Sequence, residues 1–149
     1  MRNGTPRRLG AAFALALTAV LVLGAFAPAQ AQNRRHQMLQ LINDELQDRG
    51  IGRIGLDRDL SAYAREHSQD MEQKDKLFHS DSLTTYLPRA WSSWGENVGV
   101  GVTVRGLHNA FMRSDDHRAN VLYRGYDRIG IGFARTPDDI LWVTVVFYG

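Results

Sequence analysis

The sequence predicts a layered fold in which helices cover both faces of a β-sheet. Segments with apolar residues at helical spacing fill most of the chain, and two strand-like segments close it. The last segment, Ile140 to Tyr148, is apolar at successive positions, which is typical of a central strand covered on both faces. Helices followed by an antiparallel pair therefore predict an α+β fold, a three-layer α-β-α sandwich with a mainly antiparallel sheet.

The helices are predicted from apolar spacing and from the residues at their ends. The predicted helical segments are residues 34–49, 56–73, 103–112 and 114–122. Gly50 is expected to end the first helix. Ser114 is expected to cap the backbone N–H groups of the last one through its hydroxyl.

The two closing strands are predicted to form a hairpin. Residues 128–135 alternate large apolar residues with Gly130, Gly132 and Ala134, so one face of this strand allows close packing. Residues 136–139 have the composition of a tight turn. The glycine-rich residues 95–101 are expected to form turns.

The first thirty or so residues have the layout of a secretory signal peptide. A basic start is followed by an uncharged apolar run from Leu9 to Ala27 and by the small-x-small site Ala29-Gln30-Ala31. We therefore expect residues 1–31 to be removed and residues 32–149 to form one domain that is secreted, extracellular or periplasmic. An uncleaved membrane anchor is the alternative, because a run of this length nearly spans a bilayer.

Removal of the signal changes the charge of the chain. Three of the 18 basic residues and none of the 16 acidic residues precede Gln32, so the remaining 15 basic and 16 acidic residues give a net charge of −1 with histidine neutral. There is no basic run with interleaved aromatic residues, so we expect no nucleic-acid partner. The chain has no cysteine, so packing must hold an exported fold without disulfides. We expect a monomer with no stable membrane insertion after cleavage.

Residues 114–122 combine several polar groups on one predicted helix start. His117 falls at the third helical position and Asn120 about one turn later, so both can share a face. Asp115 and Asp116 lie in the first turn, where the helix dipole favours negative charge. Such a cluster is typical of a functional site, but an ordinary surface helix can begin in the same way.

Short motifs along the chain are found in a recognisable order. They are Leu56-x-x-Asp59-Leu60 with Ala64, Phe78-His79-Ser80, Gly95-Glu96-Asn97, Ser114-x-x-His117-Arg118-x-Asn120-Val121-Leu122, Ile129-Gly130-Ile131-Gly132 and a final strand with Trp142. Together they cover essentially all of residues 36–149 and resemble the CAP superfamily of cysteine-rich secretory proteins, antigen 5 and pathogenesis-related proteins. The match is to the short, cysteine-free bacterial type with a single SCP domain.

The resemblance implies a cleft with two histidines and acidic residues that can hold a divalent metal such as zinc. It places His79 and His117 as the histidine pair and Glu96 as an acid, so these three are the candidate metal ligands. Ser114 stands where the eukaryotic pattern has a second acid. The pair 115–116 stands where bacterial members usually have Pro-Gly, which makes Asp116 a candidate cleft residue without a counterpart. No His-Glu-x-x-His helix is present, so the ligands must meet through tertiary structure.

Three functions are compatible with this pattern. The first is a binding protein whose cleft takes a small ligand, lipid or glycan, with zinc as a modulating metal. The second is an extracellular or cell-wall hydrolase, and the third is a structural or host-interaction protein of the envelope with a vestigial cleft. In the third case the two histidines would bond Glu96 only to hold the fold together. The resemblance does not establish a catalytic activity, and we expect a binding protein more than an enzyme.

The hydrolase hypothesis has two forms. Glu96 and Asp116 could act as an acid/base pair on a glycan. Alternatively, Ser80 or Ser114 could act with His117 on an acyl bond. No Gly-x-Ser-x-Gly motif supports a serine nucleophile.

Overall fold

A computed structural model describes residues 23–87 and 90–149 and confirms the three-layer fold. The elements are α1 (Leu23–Asp48), β1 (Gly55–Leu56), α2 (Arg58–Gln73), β2 (Trp94–Gly101), α3 (Val104–Arg113), α4 (Asp115–Leu122), β3 (Arg128–Arg135) and β4 (Leu141–Tyr148), with a short 3-10 turn at Leu83–Thr85. The strands form one sheet in the order β1-β3-β4-β2. The β1–β3 pair is parallel and the other two pairs are antiparallel.

Helix α1 begins upstream of the predicted start at residue 34. Alanine and glutamine fill residues 29–32, and both residue types favour helix. The helix therefore continues through the predicted cleavage site after Ala31. Residues 1–22, which make up most of the predicted signal peptide, lie outside the described residues, and the boundary at residue 31 stays a prediction. Among the described residues, no helix has the length and apolar character needed to cross a membrane.

The sheet has a helical layer on each face. Helix α2 covers one face, and α1, α3 and α4 cover the other. The core under α1, α3 and α4 includes Ile129, Ile131, Val143, Val145 and Phe147. The smaller clusters under α2 include Leu60, Tyr63, Met71, Trp142 and Val146. Strand β4 contributes to both cores, which confirms the prediction of a central strand.

Helix α2 packs directly on the glycines of β3, as the alternation in residues 128–135 predicted. A Cβ atom at Gly130 would lie 2.6 Å from Leu60 Cγ, and one at Gly132 would lie 2.0 Å from the Arg65 backbone nitrogen. Ser68 Oγ donates to Gly132 O at 3.2 Å and approaches Thr144 Oγ1 at 2.9 Å, so α2 is hydrogen-bonded to the sheet at the same point.

The prediction of turns at residues 95–101 was wrong, because these residues form β2. Every residue of β2 pairs with β4. The glycines that suggested turns allow side chains of the helical layer to approach the strand. A Cβ atom at Gly95 would lie 2.6 Å from Asn120 Oδ1, and one at Gly99 would lie 3.1 Å from Phe111 Cε1. Close packing accounts for the glycine content.

The predicted side-chain cap by Ser114 was also wrong. Asp57 caps α2 through Leu60 N at 2.9 Å, and Thr103 caps α3 through Gly106 N at 3.0 Å, but the Ser114 side chain makes no capping hydrogen bond. Ser114 is the C-cap residue of α3 and the N-cap residue of α4, and its backbone N–H donates to Phe111 O. Its backbone serves both helices.

Gly132→Ala is expected to lower the free energy of unfolding by about 3 kcal/mol, the upper part of the range for overpacking, because the new methyl group meets the α2 backbone. Urea denaturation measures this change. Gly52→Ala is the matched control, since nothing lies within 4 Å of the added methyl group. An unchanged urea midpoint for Gly132→Ala would contradict the close packing of α2 on β3.

Histidine 108 is expected to make the stability depend on pH. It is buried in α3, and neither ring nitrogen has a hydrogen-bond partner among the described residues. Burial is the largest cause and lowers its pKa, and Arg105 lowers the pKa further, while neighbouring Asn109, Glu45 and Asp44 raise it. In the unfolded chain a histidine titrates at about pH 6.5. Because the pKa of His108 is lower in the folded protein, the unfolded chain binds the proton more readily, and stability is lost as the pH falls below about 6.5.

Urea denaturation at pH 7.5 and 5.0 tests this expectation. His108→Phe should reduce the loss of stability between the two pH values. Exposed His36 on α1 supplies the matched control. His36→Phe makes the same replacement at a position outside the core. An equal loss in wild type and His108→Phe would show that His108 does not titrate with unfolding.

Candidate functional site

The predicted site residues meet at the edge of the sheet, where β2 is the last strand. Neighbouring side chains of a strand point to opposite faces, so Glu96 and Asn97 face different helical layers. Glu96 contacts the segment that follows α2, and Asn97 contacts α4. One strand therefore brings His79 and His117 to the same edge from two different layers.

The buried carboxylate of Glu96 is hydrogen-bonded to the ring of His79. Its Oε1 accepts from His79 Nδ1 at 2.8 Å and from Ser80 N at 3.0 Å. An ionised carboxylate only accepts, so Nδ1 of His79 is the donor, and in the neutral ring the lone pair lies on Nε2. The Glu96 side chain is 2% exposed and that of His79 is 65% exposed. The carboxylate is therefore buried beneath an imidazole that faces solvent.

The second carboxylate oxygen of Glu96 is unusual. Oε2 is buried and has no hydrogen-bond partner in the part of the chain that the structure describes. Nearly all buried polar atoms in folded proteins have a partner, so an unpaired one needs an explanation. Tyr63 lies close by, and its hydroxyl contacts the hydroxyl of Ser80. Ser80 therefore links the two, because its backbone N–H donates to Glu96 and its hydroxyl contacts Tyr63.

The ring of His117 is half-buried against Phe111, with ring centroids 5.2 Å apart. Burial is the main cause that lowers the pKa of His117, and His79 lowers it further, while Asp116 raises it. His79 is therefore close enough for its charge to act on the ring of His117. The lowered pKa favours the neutral imidazole, which is the form that binds metals.

Helix α4 is fastened to β2 by two asparagines. Asn97 Nδ2 donates to His117 O at 2.9 Å, and Asn120 Nδ2 donates to Asn97 Oδ1 at 2.9 Å and to Glu96 O at 3.2 Å. Asn97 is fully buried. Arg118 donates to Met112 O at 3.2 Å and so ties the start of α4 to α3. These residues position His117.

The other two predicted cleft residues are less closely joined to the site. Asp116 is exposed and acts on His117 only through its charge, and Ser114 is half-buried between α3 and α4. Neither forms a hydrogen bond with His79, Glu96 or His117 in the described structure. Across residues 23–87 and 90–149, no group of three or more His, Asp or Glu side chains is arranged to hold a metal ion. Both residues stay predictions.

Sequence reasoning missed two parts of the site. Tyr63 follows the apolar spacing of α2, so it was indistinguishable from a core residue. Asn97 looked like a residue of a turn because β2 was not recognised as a strand. With β2 assigned, the alternation of Glu96 and Asn97 would have indicated that their side chains serve opposite faces.

Comparison with known proteins identifies the family of this chain. The model of the family described as "CAP: Cysteine-rich secretory protein family" matches residues 39–148. The chain belongs to the CAP family. The uncharacterized protein YkwD of Bacillus subtilis is 30% identical to it over 120 residues, which are 74% of this chain. These residues are only 46% of the length of YkwD.

Solved structures show the same fold. An outer surface protein of Borrelia burgdorferi matches with a TM-score of 0.71 at 17% identity, over 78% of this chain and 92% of that protein. An extracellular protein of Bacillus anthracis that contains an SCP domain matches with a TM-score of 0.68 at 21% identity, over 79% of this chain and 41% of that protein. At these identities the comparison concerns the fold alone.

Asn97→Ala is expected to lower the free energy of unfolding by about 1–3 kcal/mol, because it leaves His117 O and Asn120 without their buried partner. Exposed Asn33 on α1 provides the matched control, and Asn33→Ala should change stability by less than about 0.5 kcal/mol. Chemical denaturation measures both variants, and histidine NMR signals report the position of His117. Equal stability of both variants and unmoved His117 signals would contradict this role of Asn97.

Proposed function

We propose that this CAP domain is an exported binding protein whose cleft, formed around His79, Glu96 and His117, takes a small ligand, lipid or glycan. Within this proposal, His79 and His117 bind a divalent cation, with zinc as the expected ion, and Glu96 orients His79. The observation that carries it is the 2.8 Å hydrogen bond from His79 Nδ1 to Glu96 Oε1. It leaves the second nitrogen of an exposed imidazole free to bind.

The donor set fits a divalent cation held by two imidazoles. A histidine that ligates a metal usually donates its other N–H to a carboxylate or carbonyl, which fixes the ring and its tautomer. The His79–Glu96 pair has this arrangement, and His117 favours its neutral form. Two protein ligands leave open positions, through which a bound zinc ion would supply a Lewis acid for an oxygen atom of the ligand. Glu96 is thus an orienting group in this proposal, in place of the direct ligand role predicted from the sequence.

The geometry favours binding over hydrolysis by Glu96. A carboxylate that acts as general acid or base must reach the substrate. Glu96 lies behind His79, its Oε1 already accepts two hydrogen bonds, and its side chain is almost fully buried. The exposed Asp116 makes no contact with it in the described residues, so the two do not form the facing pair that glycan hydrolysis requires.

Export is part of the proposal. Residues 1–31 have the layout of a signal peptide, and the related SCP-domain protein of Bacillus anthracis is described as extracellular. A domain without cysteine needs no oxidative folding and is suited to either side of the membrane. Cell fractionation of a producing strain locates the protein, and N-terminal sequencing of the exported form reads the cleavage site.

Zinc is expected to raise the melting temperature of the purified protein, because an ion that binds only the folded state stabilises it by mass action. His79→Ala and His117→Ala, alone and together, should abolish the rise. His36→Ala is the matched control, since His36 is exposed on α1 and contacts none of the site residues. Thermal unfolding with and without zinc, after treatment with a chelator, measures the shift.

Glu96→Gln separates orientation from ligation. It preserves the shape of the side chain and weakens its hold on His79 Nδ1, so zinc affinity should fall by about 10- to 100-fold without being abolished. Isothermal titration calorimetry gives both affinities. An unchanged melting temperature of the wild type at millimolar zinc would remove the cation from the proposed function, and full loss of binding in Glu96→Gln would indicate direct ligation by Glu96.

A further inference from the structure

The outer edge of β2 is a second feature of this strand, distinct from the histidine site. Ser93 and Gly149 exchange both backbone hydrogen bonds, each at 3.1 Å, just before β2 and just after β4. In an antiparallel pair such exchanging pairs alternate with pairs that do not exchange bonds. Counting from Ser93, the odd-numbered residues of β2 bond to β4, and the N–H and C=O groups of the even-numbered residues point away from the sheet.

Only the first part of this edge is covered. Glu96 O accepts from Asn120 of α4. Further along, the outward N–H and C=O groups of Val98 and Val100 have no hydrogen-bond partner among the described residues. Val100 is 42% exposed and Val102 is 67% exposed. The open part of the edge is therefore both apolar and unpaired.

Natural sheets usually protect such an edge with charged residues, proline or a covering element. Residues 97–104 contain neither a charged residue nor a proline. Because α4 reaches the edge only near Glu96 and Asn97, the outward backbone groups of Val98 and Val100 stay unpaired among the described residues. The side chain of Val98 is buried beside Met71 and Trp142, and that of Val100 is exposed. An unprotected edge of this kind is a template for another strand of the same character.

We propose that the open edge of β2 binds the β2 edge of a second copy of this chain, in antiparallel orientation about a twofold axis at Gly99. In this register Val98 faces Val100 of the second copy. Each copy offers two N–H groups and two C=O groups from Val98 and Val100, and all of them find partners in the other copy. Gly99 would lie opposite Gly99 of the second copy. This is a pair without hydrogen bonds, at which antiparallel strands approach most closely, and glycine has no side chain to obstruct the approach.

The chemistry of the edge fits a second copy. The complement of an uncharged, extended strand with valine side chains on one face is another such strand, and β2 itself has these properties. The even-numbered valines of both copies would lie on the same face and form β-branched cross-strand pairs, which stabilise antiparallel sheets. A twofold arrangement of this kind uses the same patch on each copy. The monomer predicted from the sequence is then the form at low concentration.

The contact is short, so the dimer is expected to be weak. Stable interfaces bury about 800 Å² on each partner, and a few residues of edge strand bury less. We expect a dissociation constant of about 10 μM to 1 mM, within the range of transient complexes. Sedimentation equilibrium from about 10 μM to 2 mM covers this range. The experiment is run with a chelator, so that zinc binding at the histidines does not affect the result.

Val100→Pro is the decisive variant. Proline has no backbone N–H, and the N–H group of Val100 points away from β4, so the pairing of β2 with β4 stays intact. The outer edge loses one hydrogen-bond donor, and the proline ring occupies its place. It should weaken dimerisation by at least about tenfold. Val100→Thr keeps the N–H group and the β-branch and is the matched control, expected to change the dissociation constant by less than about threefold. Val100→Lys places a charge on the edge and gives the same test if the proline variant does not fold.

A wild-type protein that stays monomeric at 2 mM would overturn the proposal, even if the edge binds a peptide of another sequence. Equal dimerisation of wild type, Val100→Pro and Val100→Lys would place the dimer contact elsewhere and would overturn it as well. These outcomes leave the proposed cation site untouched, because the variants change Val100 and leave His79, Glu96 and His117 in place.

Discussion

The alternation of side chains along the edge strand β2 holds the candidate site together. Glu96 and Asn97 are adjacent, and a strand must point them to opposite faces of the sheet. At a central strand the two faces would be separated by the neighbouring strands. At the edge the two helical layers meet around the strand, so His79 from the segment after α2 and His117 from α4 are held by adjacent residues of β2. The site depends on β2 being last in the sheet.

Close backbone contact and buried amides replace the disulfides that many exported domains use. Gly130 and Gly132 let α2 lie on β3, and Gly95 lets α4 approach β2. Asn43 adds a similar link, since its side chain donates to Ile54 O at 3.2 Å and accepts from Ile54 N at 2.8 Å. Each of these contacts depends on one residue type, because a methyl group or an apolar side chain would leave a clash or an unpaired group.

The sequence predicted the layered fold and the central position of β4 because long apolar patterns carry that information. It also predicted His79, Glu96 and His117 as site residues, through motifs that resemble a family. It did not predict β2, because the glycines of that strand suggested turns. Their actual role is to let the helical layer pack closely on the strand, and the residue pattern within one strand gives no information about such contacts. The sequence could not distinguish between metal binding by Glu96 and orientation of a histidine by Glu96, because the choice depends on distances between segments far apart in sequence.

The balance between a functional and a purely structural cluster rests on two properties of the site. A cluster that served only to join two segments would gain most from being buried and fully hydrogen-bonded, since an unpaired buried acceptor costs about 1–3 kcal/mol. Here Glu96 Oε2 is buried without a partner in the described residues, and His79, the group it supports, is largely exposed. The cluster therefore holds an imidazole in one orientation towards solvent and does not bury it. Local rules of packing and hydrogen bonding are most often broken at functional sites, and this supports the proposed binding role of the cluster.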